Sequence, residues 1–285
     1  MRDMIETIRE AGRYALSMQG HVKPKVKVVS DREKHKHDEK ELFSAVDLEV
    51  QRRIIDKLVR TYGSEIGIIA EEESREFSSL RNFGKFTSGI NAAIDPIDGT
   101  KNYLQGSKMW GISLGIMQGR EPISGIIHYP ALELTLETIA GDGTFINGER
   151  IKLGSSYKNG DFVRVSGSIS DYERIRKLFP KDNIAPRSFV VTILSLLGRE
   201  ELKSQNYKAY FGGNIDVCDL GPSALAYKEA GGVVMDMNGR DGNPLAQTYN
   251  DGKTLRTKKE FVMAPNTESA IRIISKIRTE RLRSQ

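Results

Sequence analysis

The sequence predicts an α+β first half followed by an α/β second half, and three observations carry that expectation. Two stretches near the start repeat apolar residues every three or four positions, as amphipathic helices do. From about residue 92 to residue 146, short apolar runs follow one another across Gly-containing turns, as in an antiparallel sheet. Beyond residue 160, strand-length apolar runs alternate with helical patterns, which is α/β organisation. At 285 residues the chain is long enough for one large domain or two intimate halves. We expect the halves to span residues 1–157 and 158–285, meeting near residues 155–160.

Met4, Ile8, Ala11, Ala15 and Met18 share one face of a first helix that Gly20 ends. Residues 21–40 are lysine-rich, contain Pro24 and keep no period, so they read as an exposed loop. His35 and His37 lie there among charges, with no cysteine or third histidine nearby, and read as solvated rather than metal-binding. Val46, Val50, Ile54 and Leu58 form the buried stripe of a second helix over 45–62. Asp47 falls in its first turn, where the helix dipole favours an acid. Residues 66–70 and 92–95 read as short buried strands, the first delivering Glu71 and the second a turn. Residues 111–117 and 123–129 flank a QGRE turn as a hairpin, and 134–140 and 144–146 add strands around GDG. In the second half we expect strands at 162–166, near 188, and at 208–211, 233–235 and 261–264. Helices are expected over 172–179, through Leu197, over 221–230 and from Glu268 onward.

Apolar content of 38% with 28% charged residues describes a soluble globular protein. No apolar run approaches the eighteen or so residues of a membrane span. The first eighteen residues mix charge with helical period and lack the apolar centre of a signal peptide. The single cysteine, Cys218, excludes an intrachain disulfide and suits a reducing cytoplasm. It reads as a small buried hydrophobe rather than a nucleophile, with no histidine near it in sequence. The net charge of +5 raises the question of nucleic acid. The basic residues, however, form no single stripe; they concentrate in 23–40, where acids interleave, and in the tail at Lys276, Arg278, Arg281 and Arg283. No zinc-ligand array, aromatic stacking motif or basic heptad accompanies them. A positive surface equally draws anionic sugar phosphates.

The densest chemistry lies in IDPIDGTKNYLQG, residues 94–106. Asp95 and Asp98 stand three apart around Pro96 and are followed by Gly99 and Thr100. Glu71, Glu72 and Glu73 end an apolar run upstream, and Asp219 opens a helix-like segment that closes in KEAGG. Hard divalent cations take oxygen ligands, and gathered carboxylates repel unless a cation lies between them. With Pro96 fixing the backbone, Asp95 and Asp98 can turn toward one point while the Ile97 carbonyl is left free. A two-metal site suited to phosphate ester hydrolysis is the economical reading. The competing one is a plain turn, since Asp-Pro and Asp-Gly are common turn formers.

DPIDGT, the preceding IIAEEE, the following WGISLG, GDGTFINGERI and the late CDLGPSALAYKEAGG resemble, in order and spacing, the inositol monophosphatase / fructose-1,6-bisphosphatase family. The resemblance covers about residues 45–266, with Cys218 standing where many members carry tryptophan. It implies a metal-dependent, characteristically lithium-sensitive phosphatase with a layered α-β-α-β-α sandwich and a site between the halves. It also implies a cytoplasmic homodimer acting on a small sugar or inositol phosphate, with neither nucleic acid nor membrane as partner. Two or three Mg2+ ions are implied. Glu71, Asp95 and the Ile97 carbonyl would hold one; Asp95, Asp98 and Asp219 would hold a second; a third would sit near Glu71 through waters.

Thr100 paired with Asp47 would orient the attacking water, with Glu71 in the same catalytic set. Asp98, Gly99, Thr100, Asn214 and Asp219 would face the substrate, with Lys101 as added phosphate support. Thr100 and the Gly-Gly-Asn segment at Asn214 can also be read as turn residues. Aligning Ala70 with the glycine that usually precedes the family's glutamate pair selects Glu71 as ligand; sliding by one selects Glu72. Gly212 replaces a glutamate that holds inositol hydroxyls in animal enzymes, and FGGNIDVCD looks more like archaeal-type enzymes of dual specificity. Asp216 is a further candidate contact in that segment.

The expected function is a magnesium-dependent phosphomonoesterase for inositol monophosphate or a related sugar phosphate. Fructose-1,6-bisphosphatase or dual activity is the alternative, and 3′-phosphoadenosine-5′-phosphate phosphatase follows. A catalytically silent regulatory scaffold is the non-enzyme alternative; loss of a metal carboxylate would favour it, and none is lost.

Overall fold

The structure, a computed structural model, describes residues 2–21, 25–26, 42–43, 45–72, 88–154, 157–167, 169, 171–179, 188–199, 207–250 and 255–283. Helix α1 (Arg2–Met18) buries Met4, Ile8, Ala11 and Ala15, the face its spacing defines. Strands β1 (Lys25–Val26) and β2 (Leu42–Phe43) pair antiparallel, so the stretch expected to be loop contains a short ribbon. His35 and His37 lie outside the described residues, as does Glu73. Helix α2 (Ala45–Tyr62) buries Val46, Val50, Ile54 and Leu58 together with Asp47 and Gln51.

Strands β3 (Gly67–Ala70) and β4 (Ile90–Asp98), helix α3 (Thr100–Leu104), and strands β5 (Gly111–Gln118), β6 (Glu121–Tyr129), β7 (Leu134–Ile139), β8 (Gly143–Ile146) and β9 (Glu149–Ile151) follow. They build a seven-stranded sheet in simple sequence order from β3 to β9. The sheet is not wholly antiparallel as expected: β3 runs parallel to β4. The connection 71–89 explains this, since it is long enough for the crossover that a parallel pair requires. The remaining neighbours pair antiparallel, β4 and β5 through a segment that carries α3 and the others through short turns.

The second half contains β10 (Phe162–Gly167), α4 (Tyr172–Arg176), α5 (Phe189–Leu196), β11 (Tyr207–Gly213), α6 (Val217–Glu229), β12 (Val233–Asp236), β13 (Thr248–Asn250), β14 (Leu255–Thr257), β15 (Phe261–Ala264) and α7 (Thr267–Leu282). Its four-stranded sheet has the order β10-β11-β15-β12. Only β10 and β11 are parallel, because β15 enters from the β13–β14 hairpin and runs antiparallel to both neighbours. Among the described residues no strand lies near Ser188, and residues 180–187 before it fall outside them. Ser188 is extended, but it caps α5, its Oγ accepting a hydrogen bond from Val191 N at 3.2 Å. Every residue of α5 is buried, so the helix shows no amphipathic period by which sequence could distinguish it from a strand.

Three apolar clusters alternate with the sheets. Ile8, Ile54 and Leu58 pack with Ile94, Leu114 and Ile126 on one face of the large sheet. Its other face meets α5 and α6, which also cover Tyr210 and Met263 of the small sheet. Ile175 of α4 and Ile273 of α7 close the far side against Val163 and Phe211. The order is helix, sheet, helix, sheet, helix.

The central contact is made by Pro222, inside α6. Proline has no N–H, so the carbonyl four residues earlier loses its helical partner. That carbonyl belongs to Cys218, and the Ser113 hydroxyl of β5 donates to it at 2.8 Å. The ring sits where β5 and β6 have no side chains. A Cβ on Gly115 would lie 2.9 Å from Pro222 Cδ, and one on Gly125 only 2.7 Å from Pro222 Cβ and 3.0 Å from its Cα. Gly125→Ala should therefore push α6 off the sheet and destabilise the fold by about 1–3 kcal/mol, read as a lower urea midpoint. An unchanged midpoint would show that the helix is not seated on this glycine.

Candidate metal centre

In a regular strand, residues three apart point to opposite faces. Asp95 pairs with Ser113 and Asp98 with Gly111, so Pro96 and Ile97 together oppose Ile112 alone. This bulge shifts the phase of the strand by one residue and brings both aspartates to the same side. Pro96, lacking a ladder donor, suits such a position. Asp95 Oδ1 stabilises the bulge by accepting from Ile97 N at 2.8 Å.

Asp219 arrives from the first turn of α6, which Asp216 caps by accepting from Cys218 N at 2.9 Å. Asp95, Asp98 and Asp219 each place a carboxylate oxygen within 4.8 Å of the others. Asp98 is held from the second half of the chain: its Oδ2 accepts from Ser188 Oγ at 2.8 Å and from Val190 N at 2.7 Å.

Burial pushes the Asp95 carboxyl well above the ordinary range, and the charges of Asp219, Glu71 and Asp98 push it further. Asp219 is raised in the same way, by burial and then by Asp98 and Asp216. Asp98 rises to about 6, because burial outweighs the hydrogen bonds from Val190 and Ser188. Asp219 Oδ1 is buried without a hydrogen-bond partner among the described residues. Carboxylates that repel one another, with an oxygen left unsatisfied, fit a hard divalent cation.

Glu71 adds to the negative field at all three aspartates. Glu71 and Glu72 follow β3, where Glu71 N donates to Ile94 O at 3.0 Å. Gln51 of α2 then clamps the Glu72 backbone, donating to its carbonyl at 2.9 Å and accepting from its N–H at 3.1 Å. Asp47, one turn before Gln51, is fully buried. Its charge reaches the Tyr103 phenol of α3, which burial and then Asp47 raise above the ordinary range.

Thr100 opens α3, and its hydroxyl donates to the Ile97 carbonyl at 3.1 Å. That carbonyl is therefore engaged rather than free as expected, although a carbonyl oxygen keeps a second lone pair. Gly99 has φ 91°, and a Cβ there would lie 2.9 Å from Ser188 Cβ and 3.1 Å from the Met109 carbonyl. Both its conformation and its surroundings exclude a side chain.

Asn214 has φ 55°, and its carbonyl accepts from Arg256 at 3.2 Å. Asp216 serves as the helix cap, its Oδ2 standing 4.0 Å from the Arg256 guanidinium. At Gly212 a Cβ would come within 2.2 Å of the Ser166 carbonyl and 2.3 Å of the Tyr210 hydroxyl. No side chain fits there without moving β10. Cys218 is buried, burial pushes its thiol well up, and its Sγ lies 3.4 Å from the Ile69 carbonyl. It packs as a small hydrophobe. Lys101 is half-buried on α3. Ser188, Gln51 and Ser113 escaped the sequence reading. Ser188 before an apolar run carries a cap signal, but nothing local tells that its partner is Asp98.

A sequence model of the inositol monophosphatase family matches residues 2–281. The chain is 28% identical over 251 residues to a Thermotoga maritima protein named fructose-1,6-bisphosphatase/inositol-1-monophosphatase, covering 86% of this chain and 88% of that relative. It is 27% identical over 210 residues to a Xylella fastidiosa protein named Nus factor SuhB, covering 70% of each. In three dimensions it is similar to an IMPase from Thermotoga maritima with TM-score 0.70 and 23% identity, over 97% of this chain and 96% of that one, a likeness of fold. No helix among the described residues is long and apolar enough to cross a membrane. With the profile match running almost end to end, the chain belongs to the inositol monophosphatase family.

Proposed function

We propose that the protein is a magnesium-dependent phosphomonoesterase acting on inositol monophosphate or a related sugar phosphate. The observation that carries this reading is the set of three aspartates gathered within 4.8 Å, with Glu71 adding to their field. Glu71, Asp95, Asp98, Asp219 and the Ile97 carbonyl would hold two or three Mg2+ ions. Bound cations at this position supply neutralisation of the phosphate, a more acidic water and stabilisation of the departing oxygen.

The rest of the chemistry belongs to the chain itself. The Thr100 hydroxyl hydrogen is directed at Ile97 O, so its oxygen presents lone pairs that can accept a hydrogen bond from an attacking water and orient it. Asp47, fully buried, would pair with Thr100 in that role. The amides of Gly99 and Thr100 would face the phosphate. Asn214, on the loop into α6, and Lys101 would meet the substrate's outer groups.

Dual action on inositol phosphate and fructose 1,6-bisphosphate is the second substrate reading, supported by the compound name of the Thermotoga relative and by the closed space at Gly212. The non-enzymatic reading draws on the SuhB name, and the intact carboxylate set opposes it. In the basic tail, Arg281 is committed to Asp171 and Glu260 at 2.7–2.9 Å, which opposes a nucleic-acid surface there. A cytoplasmic homodimer is part of this proposal, and light scattering tests the dimer.

Phosphate release from inositol 1-phosphate and fructose 1,6-bisphosphate, with magnesium titrated from zero, tests the activity. Magnesium-dependent release from either supports it, and release from neither at saturating magnesium overturns it. Asp95→Asn should lower turnover at least ~100-fold with the fold intact; full activity would remove it as a ligand. Thr100→Ala should lower kcat about 100-fold with little change in KM, and a pure KM defect would count against water orientation. Glu71→Gln should weaken magnesium dependence more than Glu72→Gln; the reverse ranking moves the ligand by one residue.

The raised Asp98 carboxyl gives a pH test. It keeps its proton longer in the folded chain, so it opposes folding little below about pH 4 and fully above about pH 6. Magnesium should relieve that penalty, raising Tm at pH 7.5 and progressively less as the pH falls through 6. An equal rise at pH 5 would argue against Asp98 as a ligand.

A further inference from the structure

We infer that Ser188 is a positioning residue for Asp98 and, through it, for the bound cation; this rests on the metal-site reading above. Asp98 leaves a bulged strand end, where the backbone alone does not fix the rotation of its carboxylate. Two short donors go to the same oxygen, Oδ2, Ser188 Oγ at 2.8 Å and Val190 N at 2.7 Å, and the Phe189 amide adds a lesser contribution. A carboxylate held through one oxygen delivers the other, Oδ1, as a single directed ligand.

Ser188 is 4% exposed and has two bonds to satisfy at once. It accepts from Val191 N and donates to Asp98, and a hydroxyl is the smallest side chain able to do both. Its Cβ also fills the space that Gly99 leaves empty. The contact therefore meets the motif from two sides. Glycine admits the serine, and the serine aims the aspartate.

The chemistry is that of an outer-sphere partner, whose loss typically weakens metal affinity 10–100-fold. Ser188 also caps α5, so its removal loosens the first turn of that helix as well as the carboxylate. Thr192 separates the two roles. Its hydroxyl donates to the Ser188 carbonyl at 3.0 Å, within the same turn and without a recorded bond to Asp98.

The test is direct calorimetric titration of Mg2+, and of Mn2+ as a probe, into the full chain, with kcat measured at saturating metal. Ser188→Ala should raise the Kd for metal about tenfold, with kcat at saturation largely retained. Thr192→Ala should leave the Kd unchanged. Ser188→Cys, close in shape but a weak donor, should fall between the unaltered protein and the alanine variant, and it carries the test if the alanine variant does not fold. Unchanged affinity in Ser188→Ala or Ser188→Cys, or equal shifts in Ser188→Ala and Thr192→Ala, would overturn the assignment. Failure of the unaltered protein to bind either metal would overturn the metal-site reading and this inference with it.

Discussion

The structure is organised around the cost of gathering acidic groups at one buried point. Asp95, Asp98 and Asp219 come from a bulged strand and one helix, and Asp95 feels the charges of the other two. Left alone, such a group protonates or repels. The scaffold must therefore hold it against its own electrostatics, and both sheets and the helices between them contribute. The bulge at Pro96 and Ile97 turns two aspartates to one side. The Pro222 ring, seated on Gly115 and Gly125, brings α6 close enough to add the third.

Hydrogen bonds complete the arrangement at a finer scale. Proline in α6 would leave the Cys218 carbonyl unsatisfied, and Ser113 answers it from the sheet. The end of β3 would otherwise stop at Glu71, and the Gln51 amide continues the pairing along Glu72. Asp98 would be free to rotate, and Ser188 with Val190 prevents it. In each case a buried polar group near the site is satisfied by a residue distant in sequence. Rigidity at a metal site depends on such outer partners as much as on the ligands.

Likeness in fold and family leaves the substrate to the loops. At Gly212 the chain has no room for a side chain, because the Ser166 carbonyl and the Tyr210 hydroxyl occupy the space. The segment that follows is held by Arg256 on the Asn214 carbonyl, with Asp216 committed to capping α6. Under the proposed function, backbone more than long polar side chains would shape this side of the site.

Sequence by itself determined the parts that local chemistry encodes. The stripes of α1 and α2, the hairpins of the large sheet and the acidic turn at Asp95 and Asp98 were legible because period and turn residues act over a few positions. The layered fold and the implied grouping of Asp95 and Asp98 with Asp219 were legible through five motifs in a characteristic order. Tertiary structure decided what depends on partners far along the chain. It made β3 parallel to β4 and left only one parallel pair in the small sheet. It made Ser188 the cap of the helix expected through Leu197 and buried that helix on every side. It engaged the Ile97 carbonyl with Thr100. It also joined Ser188 to Asp98 across ninety residues. A hydrogen bond of that reach leaves no mark on local propensity, because neither residue's neighbours in sequence specify the other.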